Sequence, residues 1–322
     1  MYSTIRSVVA CLIAFVFAEC AAAQTNWPEK PVKLVVGVTA GSGVDVTARL
    51  FAQKFTEAWG QTVVVENITG NAGAIGVDRV AKAAPDGYTL MWSGNAALTI
   101  LPSLQALPFD PLNDLTPIST SLSMPSVFLV NNGLPVKSIA ELIAYAKANP
   151  GRLSYGTPGV GTPQHIAGEL FCRLAGIEMV HIPYRGAAIT DVMSGVVQVG
   201  VQSAGAAMPL VREGRVRGIG VTSLKRTSSA PGVPTLVESG FPGFEVITWL
   251  ALMGPAGMPK TIVDKIRAES LKVLADPEMQ RKFADMALDL VGSTPEETRA
   301  AIVADTPKWA KVIKDAGIKS GN

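Results

Sequence analysis

One pattern recurs along this chain: a short β-branched run, a turn of Gly, Ser, Thr or Asn, then a stretch with helical periodicity. KLVVGV leads to TAGSG and VDVTARLFAQKFTEAWG, and TVVVEN leads to ITGNAG and a helix through Asp78 to Ala84. YTLMWS leads to GNAALT, LSYGT to PGVGTP, MVHIPY to RGAAITDVMSG, and VQVGVQS to AGAAMPLVREG. In the first helix Val46, Leu50, Phe51, Lys54 and Phe55 mark one face before Gly60 stops it. Strands alternating with helices predict an α/β fold of parallel or mixed sheets covered on both faces. Ligands of such sheets bind beyond the carboxyl ends of the strands, which is where these small-residue turns fall.

Two stretches lack helical periodicity, LTPISTSLSMPSVFLV and APGVPTLVESGFPGFEVITW. Read as crossings, they divide the chain into a discontinuous first lobe, 24–124 with 246–322, and a second lobe, 125–245. The result is a two-lobed clamp. A length of 322 residues with 48% hydrophobic content suits about two domains. From Lys260 the chain reads as helices with polar faces, the last opening with Thr294 as N-cap, Pro295 at the first helical position and Glu297 completing a capping box. Packing accounts for these helices, and they carry no expected site.

The N-terminus reads as an export leader. Arg6 precedes VVACLIAFVFA, an apolar stretch too short to span a bilayer, and AAAQ supplies an Ala-x-Ala site. Cleavage is expected after Ala23, leaving an exported, soluble protein. A lipoprotein signal needs a small residue before its cysteine, and Glu19 precedes Cys20. With Cys11 and Cys20 in the leader, Cys172 stands alone, so no internal disulfide is expected. It sits in QHIAGELFCRLAG and reads as a buried, inert thiol. A formal net charge of +2, scattered Lys and Arg, and 6% aromatics argue against nucleic acid as a ligand.

The motifs that suggest catalysis are incomplete. Gly41 and Gly43 begin a dinucleotide fingerprint whose third glycine would fall at Val46, and Asp45 would repel a pyrophosphate, although Glu66 stands where a ribose-binding acid would. GTPGVGT, from Gly156 to Thr162, has the glycines of a phosphate loop with Thr162 in the lysine position. Ser203 has Gly205 two residues after it but Val201 two before, half of a nucleophile elbow. His165 and His181 are the only histidines, and His165 with Glu169 lacks a third metal ligand. His165 therefore reads as a residue that orients its own loop or helix terminus.

What the turns supply is anion binding. A strand-end turn of Gly and Ser frees backbone N–H groups, and the following helix adds the positive end of its dipole, worth about 0.3–1 kcal/mol per anion and about 2 when partly buried. Two lobes would double the effect, and the natural ligand is a small carboxylate. Asp45 fits a loop brace accepting N–H bonds better than a ligand contact, because its charge would repel an anion.

KLVVGVTAGSGVDVTARLFAQKF, QTVVVENITGNAGAIGVDRVAKAAPDGYTL, LSYGTPGVGTPQHIAGELF and HIPYRGAAITDVMSGVVQVG, in this order, resemble the characteristic segments of the Bug family, the extracytoplasmic solute-binding receptors of tripartite tricarboxylate transporters. ALMGPAGMPKTIVDKI and the tail extend the likeness over nearly all of the mature chain. The resemblance implies a type II periplasmic-binding-protein (Venus-flytrap) fold with mixed, mostly parallel sheets, no cofactor, no catalysis, no metal and a monomeric state. It implies a mono-, di- or tricarboxylate, aromatic acids included, held between a loop of each lobe partly through ordered water, and membrane permease subunits as partners.

Carried onto this chain, the first-lobe loop is Ala40, Gly41, Ser42 and Gly43 with Asp45, joined by Ser93 and Asn95 after the third strand. The second-lobe loop is Gly159, Gly161 and Thr162 with His165. Tyr184 and Arg185 lie in the other strong second-lobe motif beside Gly186, with Asp191 behind them, and Ser203 completes the ligand set. Arg185 reads as a rim residue paired with Asp191 or another surface acid rather than as a partner for a second carboxylate. The family usually has two prolines and a glycine run where Thr39 and Ala40 precede Gly41, and Ala-Gly-Gly where Asn71-Ala72-Gly73 stands. These departures add a hydroxyl and an amide near the pocket mouth.

Two other readings stay open. A flytrap can present its closed form to a signalling receptor as readily as to a permease, which would make this a periplasmic sensor subunit. An exported α/β hydrolase acting through Ser203 would turn over acyl substrates and lose that turnover in Ser203→Ala.

Overall fold

The computed structural model describes residues 26–184, 187–315 and 317–318. The leader read over residues 1–23, with Cys11 and Cys20, and the pair Arg185 and Gly186 lie outside the described residues.

β1 (Val32–Val36) buries Val32, Leu34, Val35 and Val36 because helices cover both of its faces. It lies parallel between β2 (Val63–Asn67) and β3 (Thr89–Gly94). α1 (Gly43–Trp59) and α2 (Ala74–Ala81) connect these strands. The buried face of α1 is formed by Ala48, Phe51, Ala52 and Phe55. Val46, expected there, is 38% exposed, and Lys54 instead pairs with Asp276 at 2.7 Å. The ring of Phe51, tilted against Trp92 and stacked on Phe283, sets the centre of the face, and the helical period turns 46 to the opposite side.

β4 (Leu115–Val130) is a single strand that covers the first stretch read as a crossing. It pairs antiparallel with β9 (Ile247–Pro255) as far as Pro125, opposite Ile247. From Ser126 onward its partners are β7 (Val199–Ser203) and β8 (Arg217–Val221), so one strand serves both lobes. The ladder shifts register after Pro117, where a residue without an N–H cannot continue it. β3 joins β9 antiparallel, and in the second lobe β5 (Ser154–Thr157) runs parallel between β6 (Val180–Pro183) and β7. α3 (Ile139–Ala148), α4 (Pro163–Ala175), α5 (Ile189–Ser194) and α6 (Ala204–Arg212) cover that sheet.

α7 (Lys260–Ala275), α8 (Pro277–Asp285), the short β10 (Asp289–Leu290) and α9 (Pro295–Asp315) complete the chain. The capping box opens α9: Thr294 N–H donates to Glu297 Oε2 at 2.8 Å and Glu297 N–H to Thr294 Oγ1 at 3.1 Å. α9 departs from the expected division, which put all of 246–322 in the first lobe. Thr298 accepts from Thr120 N–H at 2.9 Å and Ile302 joins a first-lobe core. Trp309, Val312 and Ile313 join the second-lobe core with Phe128, Tyr155 and Phe171, and Asp315 pairs with Arg173. A helix of 21 residues, about 30 Å long, reaches across the junction and straps the lobes together. Among the described residues no helix is long and apolar enough to cross a membrane.

Candidate ligand-binding cleft

Beyond β1 the chain turns through residues 37–42 into α1. Gly37 is required by close approach: a Cβ there would lie 2.7 Å from Gly73 Cα and 2.9 Å from Gly73 O. Gly37→Ala would push backbone against backbone, and urea unfolding is expected to show a loss of about 1–3 kcal/mol with an unchanged m value. Unaltered stability would mean that the two turns separate freely.

Ser42 caps α1, its Oγ accepting from Asp45 N–H at 3.4 Å. Asp45, counted with the ligand set, sits beneath the loop and is 1% exposed. Its Oδ2 accepts from Gly41 N–H at 2.8 Å and Arg49 Nε at 2.9 Å, and its Oδ1 from Asn67 Nδ2 at 2.8 Å and Arg49 Nη2 at 3.0 Å. Asn67 Nδ2 also donates to Val38 O at 3.0 Å, so the carboxylate ties the turn to the neighbouring strand. Burial pushes its pKa up, but Arg49, the Gly41 N–H and Asn67 outweigh that and lower it to about 2. The Gly43 and Val44 N–H groups, at the positive end of α1, have no acceptor among the described residues. Arg49 and Asn67 were missed in sequence; the spacing of four from Asp45 was a signal for Arg49, whereas Asn67 arrives from another strand.

Ser93 and Asn95 turn toward the junction of β3 with β9. Ser93 Oγ donates to Gly94 O at 3.0 Å, and Asn95 Nδ2 donates to Ile247 O at 3.0 Å. Both residues are buried, and Asn95 Oδ1 has no partner among the described residues.

The second-lobe loop follows β5. Thr162 caps α4, its Oγ accepting from His165 N–H at 3.3 Å and donating to Gly159 O at 2.8 Å. His165, also expected at the ligand, is 5% exposed and lies under the loop, its Nδ1 accepting from Gly161 N–H at 3.2 Å. Pro163 has no N–H, and the N–H groups of Val160, Thr162 and Gln164 have no acceptor among the described residues. Tyr184 O would be 3.3 Å from a Cβ on Gly159, and Tyr184 OH donates to Asp191 Oδ2 at 2.6 Å. Burial first, and Asp191 with it, pushes the Tyr184 phenol up to about 12. Ser203 ends β7 opposite Ser126, and neither imidazole hydrogen-bonds it.

The two sets of turns meet through residues 101–105. Gln105 Nε2 donates to Asn71 Oδ1 at 2.7 Å, and a Cβ on Gly161 would lie 3.0 Å from Leu104 Cδ1. A separate cavity of about 520 Å³ between β4, β9 and α9 is walled by Trp249, Trp309, Glu245, Asp305 and Lys308 among others, and includes none of these loop residues. Among the described residues no group of three His, Cys, Asp or Glu could hold a metal ion.

Residues 47–318 match the model of the tripartite tricarboxylate transporter family receptor. The chain belongs to that receptor family. Over 320 residues it is 32% identical to Protein BugT of Bordetella pertussis, covering 97% of each chain. Among solved structures it is similar to R. palustris Rpa4515 with adipate, at 33% identity and a TM-score of 0.81, over 91% of this chain and 99% of that one. It is also similar to MatC from Rhodopseudomonas palustris with bound malate, at 27% identity and a TM-score of 0.77, over 89% and 100%. It is similar as well to the structure of periplasmic binding protein BugD, at 33% identity and a TM-score of 0.78, over 92% of this chain and 100% of that one, and has the two-lobed periplasmic-binding-protein fold.

Proposed function

We propose that the protein is a periplasmic receptor that closes its lobes on a small organic carboxylate and delivers it to the permease subunits of a tripartite tricarboxylate transporter. The reading rests on one observation above all: each lobe carries a helix N-terminus with uncommitted N–H groups over a buried polar brace, Asp45 under α1 and His165 under α4. Each such pole favours a carboxylate by about 0.3–1 kcal/mol, and by about 2 when partly buried. Adipate and malate in the two similar structures support that ligand class. In this reading Gly43, Val44, Val160, Thr162 and Gln164 donate to the ligand. Ala40, Gly41, Ser42 and Gly159 shape the loops, Ser93, Asn95, Tyr184 and Ser203 line the cleft, and Arg185 stands at its rim.

A panel of mono-, di- and tricarboxylates tests this by thermal shift. The best acid is expected to stabilise the protein by about 2.7 kcal/mol at a hundredfold excess over its Kd, and its neutral amide to leave it unchanged. Equal stabilisation by acid and amide would remove the helix-pole argument. Delivery is tested by uptake of that acid in cells with and without the permease subunits; uptake indifferent to their loss favours the sensor reading.

A further inference from the structure

Two imidazoles lie face to face beneath the second-lobe loop. His165 comes from the first turn of α4 and His181 from β6; their centroids are 3.9 Å apart and their planes 13° from parallel. Each holds one end of the loop. His165 Nδ1 accepts from Gly161 N–H at 3.2 Å, and His181 Nε2 lies 2.7 Å from Thr157 Oγ1. Thr157 Oγ1 in turn stands 3.3 Å from both the N–H and the carbonyl of Gly159. Because a nitrogen that accepts from an amide carries no proton, neutral His165 is protonated at Nε2, which faces Glu169 Oε1 at 3.8 Å. Glu169 also accepts from Tyr155 OH, and the Tyr155 ring lies against His181 at 5.0 Å. Glu169, Tyr155 and the partner ring are the titratable groups facing the stack from α4, β5 and β6.

We propose that the His165–His181 stack holds the Thr157–Gly161 loop in the form that receives the ligand, with His181 a positioning residue that never touches it. By taking up the Gly161 N–H, the stack determines that the donors left for a carboxylate are those of Val160, Thr162 and Gln164. The inference rests on the carboxylate-receptor reading for its ligand but not for its loop. Protonating His165 Nδ1 would set two donors against each other at Gly161. Burial, and for His165 also the neighbouring ring, holds the two groups well below the ordinary imidazole value, at about 3 for His165 and about 4 for His181. Both rings therefore stay neutral while the loop is in place.

The chain has two histidines, so imidazole nitrogen spectra of the unliganded protein can be assigned by single substitution. His165 is expected to show an unprotonated Nδ1 and a protonated Nε2, and both rings to stay neutral to about pH 5. In His181→Phe, which keeps a stacked ring but loses the bond to Thr157, amide exchange at Gly159, whose N–H faces Thr157 Oγ1, is expected to rise about tenfold. Kd for adipate, or for the best acid of the panel, should rise by a similar factor. His181→Gln, which can still reach Thr157, should recover part of both. A protonated His165 Nδ1, or exchange and Kd within about twofold of the parent in both variants, overturns the proposal. If the parent binds no carboxylate, the receptor reading falls, and the nitrogen spectra and amide exchange alone decide the role of the stack.

Discussion

Asp45→Asn is expected to cost the unliganded protein about 2–3 kcal/mol, because the buried carboxylate accepts four N–H groups and an amide can satisfy only one side of them. If the new NH₂ takes the place of Oδ2 it meets Gly41 N–H and Arg49 Nε; at Oδ1 it meets Asn67 Nδ2 and Arg49 Nη2. Either way donors face donors. The Arg49 side chain is 51% exposed and regains water, which keeps the loss below that of a fully buried pair. Urea unfolding should show a lower midpoint at unchanged m, and ligand choice should be preserved. The pH dependence follows from the carboxylate. Its folded pKa of about 2 lies below the ordinary 3.8, so its contribution is complete above about pH 5 and is lost as pH falls from about 4 through 2. The gap between parent and Asp45→Asn should therefore narrow by about 2 kcal/mol over that window. A variant as stable as the parent at pH 7, with higher carboxylate affinity, would mean that Asp45 faces the ligand.

Trp309→Ala is expected to be costlier still, about 3–5 kcal/mol, since it removes a 1% exposed ring from the second-lobe core. It should also change how the protein unfolds. α9 is anchored on the first lobe by Thr298 and Ile302 and on the second by Trp309, Val312 and Ile313. With that second anchor gone, the lobes are expected to separate in melting, raising the ratio of calorimetric to van't Hoff enthalpy. Trp309→Phe provides the contrast. Trp309 Nε1 is buried without an acceptor among the described residues, and Phe keeps most of the ring while removing that unpaired donor. Its loss should stay under about 1.5 kcal/mol. A Trp309→Ala variant that melts as one cooperative unit, with a loss no larger than that of the Phe variant, would show that α9 does not couple the lobes.

Legibility in the sequence varied with the range of the interaction. The capping box of Thr294 and Glu297 and the stop at Gly60 lie within four residues of their partners and are made where the local pattern points, whereas Ser42 and Thr162, read only as ligand contacts, turn out to cap α1 and α4. The face of α1 was misjudged at Val46 because periodicity alone does not say which stripe meets the sheet; the ring of Phe51, packed on Trp92 and Phe283, decides that. Asn67 under Asp45, and His181 stacked on His165, went unread because each reaches the site from a strand paired in another part of the chain.

The sequence by itself determined the alternation of strand, small-residue turn and helix, and hence the α/β class and the strand-end position of the turns. These are consequences of local periodicity and backbone freedom, which a chain carries before it folds. Only the tertiary structure decided that β4 would serve both lobes, that α9 would cross from one core to the other, and that the polar groups beneath the loops would face inward. Those outcomes follow from burying apolar faces and pairing buried polar groups among residues as far apart as Thr120 and Thr298, a balance no local stretch of sequence contains.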